Sequence, residues 1–536
     1  MSPMTLLRSF ATVSGITLVS RITGFGRDIL IAGFLGAGAA SDAFLIAFQF
    51  PNLFRRLFAE GAFASGFIPI FAQIMEKEGR DKAREFAEEA FAVLAFILLV
   101  FVVIIVAAMP VLIYVIAPGF DQIPGQMEKA TELARIAFPY LLFISLVSLQ
   151  SGVLNALNYF AAAAAVPILL NLTLITALLT AVVTSNEPAT ALAIGVFVSG
   201  LIQFFWLSWH VRRVGMKLKW TRARLSPRVR QLIHRILPVV FGASLYQVNL
   251  LIDKVLATLV SVGAVSWLYF ADRINQLPLG VVGVGIGVAL LPLLTREIQA
   301  GREQEALHAQ NRAIEVSLLF TLPATGGILV LAEPIAAVLF ERGAFAVADR
   351  AATGAALAAF ATGLPAYVLI KALVPAFFGR EDTATPVKIA IFAMIFNLVL
   401  NIILMQVIGH VGIALATAIA AWLNAGVLAV TLYRRGHLVP DVRLRNRLPR
   451  QVIATSIMVA AVWAGLTVMV SIVGPVFGTS TEPAGAQVLR AVSLAGLIGL
   501  GALVYTITAL ILGVIAPSDL TTLRRELGNT SDSSGP

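Results

Sequence analysis

Four arginines, Arg21, Arg27, Arg55 and Arg273, stand inside long apolar stretches of this sequence. Their chemistry is anion recognition. A guanidinium is permanently charged and presents a planar fork that matches phosphate oxygens two at a time. A basic residue at the centre of a membrane span costs roughly 2.5–3.5 kcal/mol on insertion scales, so four together cost on the order of 10 kcal/mol. Native stability margins are only about 5–15 kcal/mol. Such a cluster persists where it faces water and has a ligand. The ligand inferred is anionic, and a phosphate or pyrophosphate is the natural match.

Local patterns support that assignment for some charges and weaken it for others. In Ser20-Arg21-Ile22-Thr23-Gly24-Phe25-Gly26-Arg27-Asp28, two glycines lie between the arginines and favour a bend or a close backbone approach. In Pro51-Asn52-Leu53-Phe54-Arg55-Arg56-Leu57-Phe58-Ala59-Glu60-Gly61, Arg56 and Glu60 are four apart and can pair. Arg55 sits about 100° round the helix and is left for a ligand. Asp42 reads equally as a gate or as an interfacial charge. Asp272 adjoins Arg273, but neighbouring helical residues diverge, so a direct pair is strained. Gly280, Gly283, Gly285 and Gly287 follow and read as close helix packing, since no Lys-Ser/Thr completes a phosphate loop. Lys254 follows Asp253 and is a pair, a shielded charge or a site. Lys371 faces a cavity from the tenth span, and Arg135 sits at a helix end. Asn397 and Asn401, one turn apart, read as interhelical hydrogen-bonding groups. The five histidines show no zinc spacing, and no nucleophile–base set is present. The sequence therefore predicts no catalytic residue, no metal site and no resident cofactor.

The elements that position these charges are membrane-spanning helices. Hydrophobic residues make up 59% of the 536-residue chain and charged residues 13%, about half the share of a soluble domain. Apolar runs fall at 9–35, 40–74, 86–116, 131–157, 160–184, 189–211, 233–260, 264–295, 306–332, 350–378, 385–408, 411–433, 450–473 and 487–515. Each is long enough to cross a bilayer as a helix. The first carries charges and no cleavage motif, so it reads as a span, not a signal peptide. Span 40–74 is longer than a crossing needs, and Pro51 and Pro69 are its expected kink points. Ten-residue alternation is lacking, which argues against a β-barrel. The fold class predicted is an all-α polytopic membrane protein with about fourteen transmembrane helices.

Loop charge sets orientation. One alternate set of loops carries 27 Lys and Arg and the other carries four, Lys129, Arg342, Arg350 and Arg490, which places both termini in the cytoplasm. The net charge of +10 is thus a membrane-topology signature, and nucleic acid is not expected as a partner. The absence of cysteine excludes disulfides and thiol chemistry.

An internal repeat organises the spans. Gly38-Ala39-Ala40-Ser41 aligns with Gly263-Ala264-Val265-Ser266, Ile68-Pro69-Ile70 with Leu291-Pro292-Leu293, and Phe138-Pro139 with Leu364-Pro365. The common offset spans six helices, an even number, so both copies share one orientation, as in several transporters. The domains expected are 1–222 (six spans), 223–440 (six spans), 441–515 (two spans) and a polar tail, 516–536. Two six-helix lobes suit alternating access around a midplane cavity.

The motifs at 20–28, at 42–44 with 51–63, at 267–273, and Asp382-Thr383-Ala384-Thr385-Pro386-Val387-Lys388-Ile389 resemble the MurJ (MviN) family of lipid II flippases, in the multidrug/oligosaccharidyl-lipid/polysaccharide transporter superfamily. The similarity covers about residues 5–515. It implies a multi-pass protein of the bacterial inner membrane that moves lipid II, the undecaprenyl-pyrophosphate-linked peptidoglycan precursor, from the cytoplasmic to the periplasmic leaflet. It implies a groove for the lipid tail formed by the two C-terminal helices, and cell-wall synthesis machinery as a partner. It carries over Arg21, Arg27, Arg55, Arg273 and Ser266 as substrate-binding residues. Asp28, Asp42, Arg56 and Glu60 become gating or charge-pairing residues. Asp253, Asn397, Asn401 and Thr417 become a candidate site for a coupling cation, Na+ or H+, with membrane potential as a second drive. Gln276 stands where some relatives carry Glu, which weakens a proton role there. The alternative is another exporter on the same fold, a lipid-linked oligosaccharide flippase or a multidrug antiporter.

Overall fold

The computed structural model describes residues 3–58, 62–473 and 484–515. All regular structure among them is helical. Among the described residues, nine helical segments are long and apolar enough to cross a membrane by length and composition. The helices outside that set are α1 (Pro3–Leu35), α2 (Ala39–Phe58), α3 (Ala62–Glu78), α10 (Pro227–Thr258), α11 (Ala264–Pro278) and α12 (Val284–Gln299). These carry most of the charges that the sequence places at membrane depth, so the residues that point to function are the ones that dilute the hydropathy signal.

Several predicted spans are interrupted, and the interruptions have causes. Span 40–74 is described as α2 and α3 on either side of residues 59–61, and Pro51 and Pro69, the expected kink points, lie inside α2 and α3. Span 131–157 is divided into α5 (Gln126–Ala137) and α6 (Tyr140–Ala156) at Phe138-Pro139. The matching span in the second half is divided into α14 (Val347–Ala361) and α15 (Leu364–Phe378), with Pro365 in the first turn of α15. Proline has no N–H to extend a preceding helix and suits a first turn, so the repeat carries its break with it. Between α11 and α12 lies a π-helical turn, Leu279–Gly283, directly after Pro278. Spans 385–408 and 411–433 run on as α16 (Ala384–Arg434), with a sharp non-helical turn at Ile408 and Gly409. Gly409 takes φ 59°, ψ −137°, a conformation reserved for glycine.

Contacts divide the chain into two units, residues 1–266 with 342–346, and residues 267–341 with 347–536. This differs from the repeat-based scheme: α10, at the start of the expected second lobe, packs on α2, α3 and α4 (Arg80–Ile116) in the first unit. The first unit also holds α7 (Phe160–Ala164), α8 (Val166–Val183) and α9 (Pro188–Arg213). Its core is aromatic, with Phe67 stacked on Phe71 and Phe86 at 5.5 Å each. Residues 342–346 dock on the end of α1, where Ala344 N donates to Gly33 O at 2.8 Å. A Cβ at Gly343 would lie 2.2 Å from that same oxygen, so only glycine fits.

In the second unit, α13 (Glu303–Phe340) is the spine for the C-terminal pair α17 (Val442–Val473) and α18 (Ala484–Ile511). An apolar seam of Leu331, Ala337, Met458, Val462, Leu494 and Leu497 joins them. A buried glutamate on α13 closes each end. Glu315 accepts from Arg312, Arg443 and Arg447. Glu341 accepts from Arg350 at 2.8 Å and Arg490 at 3.2 Å. Arg350 and Arg490, which loop counting treats as solvent-facing, are 6% and 5% exposed. Hydropathy registers their charge but not the carboxylate that compensates it.

Candidate functional site

In α1, Arg21 is exposed and makes no hydrogen bond or ion pair among the described residues. Arg27, two turns on, is buried. Its Nε and Nη2 donate to Asp28 Oδ1 at 3.0 and 2.6 Å, and its Nη1 donates to Asn171 Oδ1 at 2.9 Å. Asn171 comes from α8, and its amide nitrogen donates to Ser20 O and Thr23 Oγ1 at 3.1 and 3.3 Å. A Cβ at Gly24 would sit 3.2 Å from that nitrogen. Glycine at 24 therefore admits Asn171, and Asn171 holds Arg27. The glycine signal in the sequence was a packing contact for a polar bridge. Asn171 itself was missed, although a single amide in the run from Val166 to Val183 marks a group that must find a partner.

Asp42, near the start of α2, is 1% exposed. Its carboxylate accepts from Gly263 N at 2.7 Å, Ser266 N at 2.9 Å and Ser266 Oγ at 2.5 Å. These donors lie at the first turn of α11, so Asp42 caps a helix N-terminus from a distant part of the chain. Of the two readings the sequence left open, an interfacial charge does not fit such burial. Ser266, expected to face substrate, is fully buried on Asp42 in this state. Arg55 is half-buried, with its Nε donating to Asn52 Oδ1 at 3.3 Å. Glu60 lies outside the described residues, as does the side chain of Arg56, so their pairing is not described.

In the second unit, Arg273 donates to the Tyr269 hydroxyl at 3.0 Å, and its guanidinium carbon lies 4.9 Å from the centre of that ring. An aromatic face one turn away is a good rest for a desolvated guanidinium. Asp272 accepts from Gln276, one turn along. Trp267 donates to Asp349 at 2.9 Å and packs against His410. Lys254 donates to Gln49, both residues being in the first unit. Lys371 rests against Gly283 in the π-helical turn, where a Cβ would lie 3.0 Å from its side chain. Of the candidate cation set, Asn401 donates to Asn397 Oδ1 at 3.1 Å, and Asn397 donates to Thr417 Oγ1 at 3.4 Å. The first bond lies within one helical stretch, and the second crosses the turn at Ile408 and Gly409. Asp253 belongs to the first unit and those three to the second. Among the described residues no group of three or more His, Cys, Asp or Glu could hold a metal ion.

A family model described as Lipid II flippase MurJ matches residues 31–480. The chain belongs to the MurJ family. A relative from Rhizobium tropici, named probable lipid II flippase MurJ, is 42% identical over 98% of this chain and 97% of its own length. A solved structure of a lipid II flippase MurJ in an inward closed conformation shares the fold, with TM-score 0.75, 24% identity, and coverage of 93% of this chain and 98% of that one. A multidrug transporter of the MATE family, in an inward-facing conformation, shares it with TM-score 0.64, 16% identity, and coverage of 79% and 97%. The family and its fold class, an all-α multi-pass membrane protein, agree with the reading of the sequence. Neither Asn171 nor Tyr269 could be found by motif, because each acts as a neutral partner to a charge.

Proposed function

We propose that this chain is a lipid II flippase, a transporter and not an enzyme, carrying its substrate across the inner membrane. The observation that carries the reading is the near full-length similarity to lipid II flippases, 42% identical over 98% of the chain. The arginines supply its chemistry. Lipid II is held by its pyrophosphate, which calls for permanent cations. Arg21, exposed, and Arg55 and Arg273, half-buried, have guanidiniums that can turn to a ligand. Arg55 is preset by Asn52 and Arg273 by Tyr269. Arg27 is different: it reaches substrate only by exchanging Asp28 or Asn171, so in this state it positions α1 against α8.

Asp42 acts as the gate. Its cap on Gly263 and Ser266 stabilises the present state, and its release accompanies the transition that alternating access requires. Both termini lie in the cytoplasm, and a net basic site returns under membrane potential, at about 2.3 kcal/mol per charge per 100 mV.

The test is lipid II translocation in proteoliposomes containing wild type, Arg21→Ala, Arg55→Ala, Arg273→Ala and Arg27→Ala, with lipid II binding measured in parallel. Loss of binding is expected for the first three variants. For Arg27→Ala, loss of transport with a smaller change in binding is expected. Wild-type transport rates in Arg21→Ala and Arg273→Ala would sink the assignment.

A further inference from the structure

Outside the transport site, one arginine faces lipid in a built groove. Helix α4 contains Pro110, which has no N–H to donate to the carbonyl four residues back, that of Val106. An unmet carbonyl is costly in hydrocarbon. Arg135, from α5, meets it, with Nε donating to Val106 O at 3.3 Å. This uses one of five N–H groups. Arg135 is exposed, and neither of its terminal nitrogens has a hydrogen-bond partner among the described residues. Glu132, one turn earlier, is taken by Lys129 at 3.2 Å, which also binds Glu187 at 2.5 Å.

The surroundings select the ligand. Arg135 lines a groove of about 470 Å³ with Val102, Val103, Val106, Ala107 and Pro139. Val103 is 60% exposed on the face of α4 that membrane lipid must cover. Along α5, Arg135 lies about 4.5 Å past Glu132 and about 9 Å past Lys129, the two charges of the rim. The headgroup zone of a bilayer is about 5–7 Å deep on each side, which matches a phosphate held just inside a charged rim. A free phosphate would have to leave water for apolar walls, whereas a phospholipid brings an acyl chain for the groove and a phosphate for the fork.

We propose that Arg135 and the α4–α5 groove form a site for the phosphate head group of a bilayer phospholipid. In the orientation proposed above the site opens to the outer leaflet, and it is independent of whether the chain transports lipid II. A cation at the lipid surface strengthens binding of an anionic lipid by about fivefold.

Native mass spectrometry of the purified full chain tests this with phosphatidylglycerol, with diacylglycerol of the same acyl chains, and with inorganic phosphate. Wild type should retain phosphatidylglycerol but neither diacylglycerol nor inorganic phosphate. Arg135→Gln should retain about fivefold less phosphatidylglycerol. Ala107→Trp, which fills the groove and leaves the arginine in place, should also lose it, and it serves if Arg135→Gln folds poorly. Equal retention by wild type and both variants overturns the site. So does retention of diacylglycerol on a par with phosphatidylglycerol, or retention of inorganic phosphate, since the head group and the groove would then not act together.

Discussion

Replacing Asp42 with Asn is the most direct probe of the proposed gate, because it preserves shape while removing charge. Asp42 offers two acceptor oxygens to three donors, at 2.7, 2.9 and 2.5 Å. Asparagine keeps one acceptor and turns an NH₂ donor toward an N–H or hydroxyl. At least one charge-assisted hydrogen bond goes, worth about 1.5–3 kcal/mol. The interaction of a carboxylate with the N-terminus of α11 goes too, worth about 0.3–1 kcal/mol. The present state is then disfavoured by about 2–4 kcal/mol, or roughly 30- to 700-fold in population. The chain has no cysteine, so Val265→Cys gives a unique reporter at a position only 3% exposed. Its reaction with a membrane-impermeant maleimide should accelerate strongly in Asp42→Asn. Ser266→Ala removes one donor but leaves both backbone N–H groups on the carboxylate, so it should accelerate labelling less. If Asp42→Asn labels no faster than wild type, or Ser266→Ala labels faster than Asp42→Asn, the cap does not control this state.

Three other outcomes follow from the geometry. Asn171→Ala leaves buried Arg27 with one acceptor fewer and should lower stability by about 1.5–3 kcal/mol, read as a fall in the thermal unfolding midpoint in detergent; an unchanged midpoint would show that α8 does not hold Arg27. Glu341→Gln removes the carboxylate shared by Arg350 and Arg490 and should cost about 3–5 kcal/mol, whereas Glu333→Gln, whose side chain is 52% exposed, should cost about 1 kcal/mol or less, so equal midpoints would refute the clamp on α18. The Asp382 carboxyl is held below the usual carboxylate range by the Thr385 hydroxyl, by Arg435 and by the Thr385 backbone N–H. A lowered folded pKa gives stability that is present above the unfolded value of about 3.9 and is lost as pH falls through the folded one. Asp382→Asn should therefore unfold earlier than wild type at pH 7, with the gap constant down to about pH 5 and closing below about pH 4; a gap that closes between pH 6 and 8 would point to a different group.

The helical class, most span positions and the identity of the charge-bearing helices were legible because they depend on composition summed along the chain. Spans 131–157 and 350–378 were read as unbroken, although their prolines, Pro139 and Pro365, entered the repeat and mark the breaks seen there. Pro51 and Pro69, read as kink points, lie inside α2 and α3. The partners of the charges were not legible. Asn171 lies 144 residues from Arg27, and Asp42 lies 224 from Ser266. No local period connects such pairs; only the packing of α8 on α1, and of α2 near the start of α11, brings them together.

The charges at membrane depth are consequently not one population. Insertion cost depends on residue type and depth, so it does not by itself tell Arg21, Arg27 and Arg273 apart, and Arg135 was read only as a helix-end charge. What separates them is which groups nearby need a donor. Arg27 answers a carboxylate and an amide, and is spent on structure. Arg135 answers a carbonyl that Pro110 leaves open, and keeps most of its donors. That case was readable in advance: a proline inside a predicted span names the carbonyl four residues earlier as an acceptor seeking a donor. Arg21 answers nothing in the protein among the described residues, and Arg273 leans on an aromatic ring and a hydroxyl. An exposed guanidinium kept in an apolar helix, as Arg21 is, is the arrangement a pyrophosphate ligand would complete. The number of such arginines, not the number of arginines at membrane depth, is therefore the better measure of an anion site in a helical membrane protein.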